Sequence, residues 1–187
     1  SFLKPLINVC TNLRYDHPDV YKDFDHTKEV FKKFFEQTDD NGYLVINADD
    51  EELLKIAHQT NKKIITFGES PESDFRLTDY SSREGITRGI FEYKNNSYEL
   101  VLQIPGKFNL LNALAAIAAI APLHSEALEK HNLKNFKSTA RRFENKGKIN
   151  GAQCFDDYAH HPKEVEAAIK AINDWYPNSR KVIAFQS

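Results

Sequence analysis

Two short β-rich runs separated by a helical pattern restrict the fold of this chain more than any other feature. The runs are "YLVIN" (residues 43–47) and "KKIITF" (62–67), and between them "DDEELLKIAHQT" (49–60) places its apolar residues on one helical face. Asp49 or Asp50 can cap the start of that helix. A strand, a helix and a second strand of these lengths predict a βαβ unit, and therefore a pair of parallel strands.

Further apolar patterns extend the prediction. Residues 26–37 form a helical pattern with an aromatic stripe, and residues 86–104 indicate two antiparallel strands joined by a turn at 95–97. A long Ala-rich helix follows and ends at Pro122, and a shorter helix is predicted over 125–132. The aromatic stripe consists of Val30, Phe31, Phe34 and Phe35, and the alternating strand residues are Tyr98, Leu100, Leu102 and Ile104.

The same kind of pattern restarts at about residue 145. A β-rich stretch (148–159) is followed by a helical pattern (162–176) and by the strand-like run "KVIAF" (181–185), which together predict a second βαβ unit. The predicted fold is therefore α/β, with a mostly parallel sheet that has an antiparallel portion and is flanked by helices. One side of the last helix carries Val165, Ile169, Ile172 and Tyr176.

Composition and charge exclude several classes of function. The formal net charge is -2 and no run of basic residues is longer than a pair, so the chain lacks the electrostatic surface that attracts nucleic acids or anionic membranes. No apolar stretch approaches the roughly 20 residues needed to cross a bilayer. Cys10 and Cys154 lie far apart without a CxxC pattern, which argues against a zinc site and indicates a reducing, cytoplasmic location.

Two polar segments could bind a ligand or could be ordinary surface structure. "TNLRYDHPD" (11–19) follows the apolar strand "LINVC" and contains Asn12 and His17, but a polar turn with a capping aspartate is the alternative. "RRFE" (141–144) offers the guanidinium of Arg142 to a phosphate, but a surface ion pair is the alternative. Taken singly, both segments are better explained as surface structure.

Two other segments have a stronger pattern. "PGKFNLLN" (105–112) places Asn109 and Asn112 one turn apart near a helix N-terminus, where side-chain amides can pair with a purine edge; capping by Asn109 is the alternative. "DDYAHHP" (156–162) contains two acids and two histidines, which is more than capping requires. It follows a predicted strand, at the sheet edge where α/β folds bind ligands, and this placement favours a functional site.

Taken together and in this order, the four segments resemble the Mur ligases of peptidoglycan synthesis. The resemblance covers almost the whole chain and begins with "SFL" (1–3). It implies that residues 1–144 are part of a central ATP-binding domain. Residues 145–187 would then begin a Rossmann-like C-terminal domain that binds the amino acid, with its first βαβ unit. The double histidine of "DDYAHHP" is most similar to the family members that join L-alanine to UDP-N-acetylmuramate.

The resemblance also implies roles for individual residues. His17 is similar to a Mg²⁺ ligand of the family, and Asn12 would lie near the muramoyl substrate. Asn112, with Asn109 beside it, is similar to the asparagine that reads the adenine of ATP. The other implied site residues are Arg142 and Asp157, which would meet the nucleotide, and His160 and His161, which would line the pocket for L-alanine and the acyl phosphate.

The implied activity is ATP-dependent amide formation from UDP-N-acetylmuramate and L-alanine through an acyl phosphate, with Mg²⁺ bound to ATP. A histidine can accept the proton of the attacking amine, and charge stabilisation by His161 is an equally compatible role. Two other functions remain as alternatives. One is a family member that recycles murein tripeptide, and the other is a non-catalytic nucleotide-binding module.

Two departures from the family pattern affect these expectations. Lys107 and Phe108 stand where the family usually has Arg-His, so Phe108 is expected to pack against the adenine. The chain contains no G-x-x-x-x-G-K-[ST] phosphate loop, which the resemblance places upstream. We therefore expect the chain to be a fragment of a longer ligase and to be inactive by itself.

Overall fold

The computed structural model describes residues 4–83 and 85–186 and contains both strands and helices. The segment "SFL" at which the resemblance begins lies outside these residues. None of the helices in the described part of the chain has the length and apolar character that a membrane crossing needs. The elements are β1 (Ile7–Cys10), α1 (Phe24–Glu36), β2 (Tyr43–Asn47), α2 (Glu51–His58), β3 (Lys63–Gly68), β4 (Phe75–Arg83), β5 (Ile86–Tyr93), β6 (Asn96–Leu102), α3 (Lys107–Ile120), β7 (Glu144–Ile149), β8 (Ala152–Asp156) and α4 (Pro162–Trp175).

The first six strands form one sheet in the order β1-β2-β3-β4-β5-β6. The pairings β1–β2, β2–β3 and β3–β4 are parallel, with Ile7 opposite Tyr43 and Tyr43 opposite Lys63. The predicted βαβ unit is therefore confirmed as β2–α2–β3, and the cap of α2 is Asp50, whose carboxylate accepts a hydrogen bond from the backbone of Leu53. β7 and β8 form a separate antiparallel pair. The α/β fold class and the mostly parallel sheet are confirmed.

The hairpin β5–β6 confirms the predicted antiparallel pair but places its turn one residue earlier. Only Lys94 and Asn95 separate these neighbouring strands, and two residues can join antiparallel strands but not parallel ones. Both residues have positive φ values, 50° and 63°, as a tight hairpin turn requires. The predicted alternation is confirmed by the buried side chains of Leu100 and Leu102. Strand β4 was not predicted, because its polar second half interrupts the apolar alternation.

The residues divide into two compact units. The first contains the chain up to Thr78 with Phe91–Tyr98 and Leu111–Lys130, and the second contains Asp79–Ile90, Glu99–Leu110 and the chain from His131 onward. The predicted division after residue 144 stays a prediction.

The core of the first unit lies around β2. Leu44 and Ile46 of β2 have no exposed surface, and they belong to one apolar cluster with Leu53 of α2 and Phe35 of α1. Phe34 does not belong to the buried stripe, because its side chain is 41% exposed. The stripe of α1 is instead formed by Phe24, Phe31 and Phe35, which recur on one helical face.

In the second unit α4 packs through its small and aromatic residues. The indole N–H of Trp175 donates to the hydroxyl of Thr87 over 3.3 Å, and this hydroxyl lies 2.8 Å from that of Ser82. The ring of Phe143 lies 6.0 Å from the indole. The helix itself was predicted correctly, but its buried residues are Ala171 and Trp175. The predicted side is only half-buried, namely Val165, Ile169, Ile172 and Tyr176.

Two predicted elements are wrong. The helix expected over 125–132 is a single 3-10 turn, Ser125–Leu128, which contains no buried residue that could anchor a longer helix. The strand expected at 181–185 has no regular structure. A strand requires a hydrogen-bonding neighbour, and no other strand pairs with this segment within 4–83 and 85–186.

Phe34 and Phe35 provide a matched test of this packing. Phe35→Ala should lower the free energy of unfolding by about 3 to 5 kcal/mol, because it leaves a cavity in the core of the first unit. Phe34→Ala should cost less than about 1 kcal/mol, because 41% of the Phe34 surface is already exposed to solvent. Urea denaturation of the two variants measures the difference. Equal losses of unfolding free energy in the two variants would contradict the assignment of Phe35, and not Phe34, to the core.

Cys10 and Cys154 are both free thiols, and their surroundings predict different reactivity. Burial raises the pKa of the Cys10 thiol to about 12 from its ordinary 9.0, and the nearby Asp50 carboxylate adds to this effect. A thiol-reactive dye at pH 8 should therefore label Cys154 quickly and Cys10 only after unfolding, because the thiolate is the nucleophile.

The same pKa shift predicts a change of stability with pH. The folded state holds the Cys10 proton more tightly than the unfolded state, so this group leaves stability unchanged below pH 9 and reduces it as the pH rises towards 12.

For the dye-labelling experiment at pH 8, Cys154→Ser is the control variant, and it should show no fast labelling. Two equally fast thiols in the folded protein would contradict the burial of Cys10.

Candidate functional site

The segment after β1 carries two of the predicted site residues in the first unit. Residues 11–17 have no regular secondary structure, and only Leu13 among them is buried, with 1% of its surface exposed. The Asn12 side chain is exposed, and its amide donates to the hydroxyl of Thr11 over 3.2 Å. Asn12 is therefore available to a ligand while its neighbour anchors the chain.

The β2–α2 junction holds this segment at three points. One carboxylate oxygen of Asp50 accepts hydrogen bonds from the backbone N–H of Leu13 and from the Arg14 guanidinium, each over 2.8 Å. The side-chain amide of Asn47 donates to the carbonyl oxygen of Thr11 over 2.9 Å. The backbone is thus fixed immediately before and immediately after Asn12.

His17 lies in an exposed turn between two carboxylates. Its backbone N–H donates to Asp16 over 2.8 Å, and its ring nitrogens lie 3.8 Å from the Asp16 carboxylate and 3.9 Å from that of Asp19. Within residues 4–83 and 85–186, no three histidine, cysteine, aspartate or glutamate side chains form a metal site. Mg²⁺ requires six ligands, mainly oxygens, so this turn does not provide a complete Mg²⁺ site.

Asn109 and Asn112 differ in availability at the start of α3. The Asn109 amide donates to the carbonyl oxygen of Pro105 over 2.7 Å, and its backbone N–H donates to Gly106 over 3.1 Å. Asn109 therefore links the first turn of the helix to the preceding residue Pro105, but it is the third residue of α3 and its side chain donates, so it is not the N-cap that the alternative expected. Asn112 has an exposed side chain, and its amide can present both the NH2 donor and the oxygen acceptor to a ligand. Phe108, 37% exposed, also has part of its ring open to solvent.

In the second unit the carboxylate of Asp157 joins the "RRFE" segment to the "DDYAHHP" segment. One oxygen accepts the backbone N–H of Phe143 over 2.7 Å, and the other accepts that of Ala159 over 2.8 Å. A further backbone bond runs from Tyr158 to the carbonyl oxygen of Arg141 over 2.8 Å. Because each carboxylate oxygen has a second lone pair, Asp157 can still accept a hydrogen bond from a ligand.

Both arginines of "RRFE" lie beside the ring of Tyr158. The guanidinium carbons of Arg141 and Arg142 are 4.7 Å and 5.9 Å from the ring centroid, within cation–π range. Arg141 also lies 3.8 Å from the Asp156 carboxylate, and its backbone N–H donates to Glu144, which lowers the pKa of Glu144. Two cations and an exposed aromatic ring form a surface that suits an anionic or planar ligand.

The two histidines stand at the N-terminus of α4. His161 is the N-cap residue and Pro162 begins the helix. The Glu164 carboxylate accepts the backbone N–H groups of both His160 and His161, each over 3.3 Å. The His160 ring nitrogen lies 3.1 Å from the carbonyl oxygen of Tyr158 and 3.6 Å from Glu164. The backbone of His160 and His161 therefore forms the start of α4. The exposed side chain of His160 borders an open groove of about 810 Å³ along this helix.

The predicted site residues are thus distributed over both units. Sequence reasoning missed Asn47, Asp50, Arg141 and Tyr158 as neighbours of those residues. The acids of the "NADD" run (47–50) predict a helix cap, but the run also lies at a strand end, as "TNLRYDHPD" and "DDYAHHP" do. The first unit contains Asn12, His17 and Asn112, and the second contains Asn109, Arg142, Asp157, His160 and His161.

Two protein-family models match this chain. Residues 1–120 match the Mur ligase middle domain, and residues 141–186 match the domain described as Mur ligase, glutamate ligase domain. The first match covers more than half of the chain.

Curated relatives match the chain over its full length. UDP-N-acetylmuramate–L-alanine ligase of Clostridium acetobutylicum is 38% identical over 100% of this chain and 41% of its own length. The enzyme of the same name from Carboxydothermus hydrogenoformans is 39% identical, again over 100% of this chain and 41% of its own length. The chain therefore spans about two fifths of the length of these relatives.

Solved structures share the fold. The UDP-N-acetylmuramate–alanine ligase of Thermotoga maritima superposes with a TM-score of 0.77 at 28% identity, covering 94% of this chain and 40% of that one. The MurF ligase of Thermotoga maritima, solved with ADP, gives a TM-score of 0.79 at 22% identity, covering 91% of this chain and 40% of that one. The second likeness supports the fold alone.

Asp156 and Asp157 allow a matched test of the junction between the two segments. Asp157→Ala should lower the free energy of unfolding by about 1 to 3 kcal/mol, because it removes the acceptor of two backbone N–H groups. Asp156→Ala should cost less than about 1 kcal/mol, because it removes only a solvent-exposed ion pair with Arg141. Thermal unfolding of both variants measures the contrast. A larger loss in the Asp156 variant would contradict the role of Asp157 as the link.

Proposed function

Because the chain belongs to the Mur ligase family, we propose that it forms part of an ATP-dependent ligase that joins L-alanine to UDP-N-acetylmuramate. The observation that carries this proposal is the match to relatives of that activity along the entire chain. The product would be a precursor of peptidoglycan made in the cytoplasm. The chain itself would be one portion of the enzyme, since it spans about two fifths of those relatives.

The proposal divides the chain into two functional parts. Residues 1–144 would belong to the central domain that binds ATP, and residues 145–187 would begin the C-terminal domain that binds the amino acid. The two family matches, 1–120 and 141–186, support a division between them. No G-x-x-x-x-G-K-[ST] motif occurs in the sequence, so the groups that cradle the β- and γ-phosphates would lie outside these 187 residues.

We assign nucleotide contacts from exposure and charge. Asn112 would read the adenine edge, because its amide is exposed, whereas Asn109 would support the helix start from inside. Arg142 would bind the nucleotide from the "RRFE" segment, with Tyr158 restricting its guanidinium. Asp157 would accept a hydrogen bond from the nucleotide with a remaining lone pair.

The proposed reaction has two steps. The muramoyl carboxylate attacks the γ-phosphorus of ATP, and ADP leaves as the acyl phosphate forms. The amine of L-alanine then attacks the acyl carbon, phosphate leaves with the electrons of the C–O bond, and the amine loses a proton. His160 or His161 would accept that proton or stabilise the charge of the acyl phosphate, since an imidazole can accept a proton and can donate a hydrogen bond. Asn12 would hold the muramoyl substrate in position for the first step.

Mg²⁺ belongs to the proposal with a limited role for this chain. His17 would supply one ligand, and the others would be phosphate oxygens, water and groups outside the described residues, because the turn around His17 lacks a complete set. When bound, the ion would neutralise charge on the phosphates.

Kinetics of the full-length protein test the proposal. ADP release should require both UDP-N-acetylmuramate and L-alanine, and the ADP release of the 187-residue chain alone should stay at background.

His161→Ala in the full-length protein should lower kcat about 100-fold or more and raise KM for L-alanine, because the residue would act in amide formation. Asn112→Ala should instead raise KM for ATP by an amount equivalent to about 1 to 3 kcal/mol of lost hydrogen bonding.

The control is His124→Ala, which removes a histidine that is 65% exposed and lies outside the four candidate segments. Activity with a wall tripeptide in place of L-alanine would identify the recycling ligase instead. ATP binding without ADP release in the full-length protein would identify a non-catalytic module. Unchanged kcat and alanine dependence in the His161 variant would show that the histidines serve only to begin α4.

A further inference from the structure

Within residues 4–83 and 85–186, no strand pairs with the loop that carries Asn12. Residues 11–17 lie beyond the end of β1 and outside regular secondary structure, yet Leu13 is almost fully buried. A buried backbone N–H that finds no partner is costly, so the N–H of Leu13 needs an acceptor. Asp50 supplies it, and its carboxylate belongs to a residue with only 7% of its surface exposed.

The two oxygens of Asp50 perform different tasks. Oδ1 accepts the backbone N–H of Leu53 over 3.2 Å and so caps α2, while Oδ2 accepts the N–H of Leu13 and the Arg14 guanidinium. A helix cap needs only the first of these bonds. Asp23, which caps α1 through a bond from His26, is exposed, in contrast to the buried Asp50. Burying a carboxylate is unfavourable unless it is paired, and here the loop provides the pairing.

Asn47 holds the same loop from the other side of Asn12. Its amide nitrogen donates to the Thr11 carbonyl oxygen, and its amide oxygen accepts the backbone N–H of Asp49 over 3.0 Å. Asn47 is the last residue of β2, Asp50 lies in the turn that follows it, and β2 is the neighbour of β1 in the sheet. The register of two parallel strands therefore determines where the two anchors meet the loop.

We propose that Asp50 and Asn47 are positioning residues, which hold the backbone on either side of Asn12 so that its amide is presented to the muramoyl substrate. The catalytic consequence rests on the proposed ligase function, whereas the physical anchoring does not. His17 is fixed less directly, because two residues separate it from Arg14 and its backbone N–H is bonded to Asp16. The anchors should therefore affect binding of the muramoyl substrate more than that of ATP.

Three conservative variants distinguish the positioning of the Asn12 loop from the capping of α2. In Asp50→Asn the remaining oxygen can still cap α2, but the new amide nitrogen cannot accept from Leu13 or Arg14. In Asn47→Asp an oxygen replaces the donor that faces the Thr11 carbonyl. Asp49→Asn is the matched control, since the neighbouring carboxylate of Asp49 instead accepts backbone bonds from Glu69 and Ser70.

Hydrogen exchange of the full-length protein tests the anchoring without substrate. A peptide covering residues 11–17 should exchange about tenfold faster or more in Asp50→Asn and in Asn47→Asp, because the bonds that hold the loop are lost. The same peptide should be unchanged in Asp49→Asn, and a peptide covering α2 should be unchanged in all three variants. Unchanged exchange of 11–17 in Asp50→Asn would overturn the proposal, whatever the activity of the protein.

Kinetics test the consequence. Asp50→Asn should lower kcat/KM for UDP-N-acetylmuramate about 10- to 100-fold, as a small misplacement of a substrate-holding group can, while KM for ATP changes less than about twofold. If the effect passes through Asn12, the same change in an Asn12→Ala background should cost less than about threefold. A full additional loss in that background would overturn the positioning role. A wild-type protein with no ligase activity would refute the proposed function, and the exchange result would still decide the anchoring.

Discussion

The arrangement of the first unit depends on the burial of one strand. β2 has parallel neighbours on both edges, and its side chains from Tyr43 to Ile46 are buried on both faces. A strand in this position must be covered on both faces, and its connections must be crossovers because its neighbours run in the same direction. The carboxyl ends of β1 and β2 therefore lie side by side. This constraint brings the loop after β1 next to the turn that begins α2.

Aspartate carboxylates replace hydrogen bonds that the backbone loses at such strand ends. Where a strand stops and a loop begins, backbone N–H groups lose their partners, and both units use an aspartate to replace them. Asp50 accepts from Leu13 in the first unit, and Asp157 accepts from Phe143 and Ala159 in the second. In each case the acceptor holds a segment that contains candidate ligand-binding residues. The acids beside a site can thus contribute by shaping the backbone even where they touch no ligand.

Sequence patterns predicted most of the regular elements but not all of their details. The βαβ unit at 43–67, the hairpin and the helices α1, α3 and α4 were predicted because their periodicities are long and uninterrupted. Strand β4 was missed because only Phe75 and Leu77 in its first half are apolar and buried. The helix at 125–132 and the strand at 181–185 were wrong, since local propensity does not show whether a packing partner or a pairing strand is present. Phe34 was wrongly predicted to be in the core, because Phe34 and Phe35 are adjacent and of the same type, and the sequence alone does not show which of the two faces the core.

Patterns along the sequence were sufficient to assign the α/β class, the order of most of the elements and the residue types of the four candidate segments, because these depend on local periodicity and on motif spacing. Which polar groups already form hydrogen bonds within the protein is visible only in the folded chain. The tertiary structure showed that Asn109 is bonded to Pro105, that Asp157 links two segments, and that Asp50 serves a loop 37 residues away as well as its own helix. These roles depend on which strand ends become neighbours, and that is decided by sheet order and register. A hydrogen bond between residues distant in the chain has no local signature, so no pattern along the sequence could have revealed it.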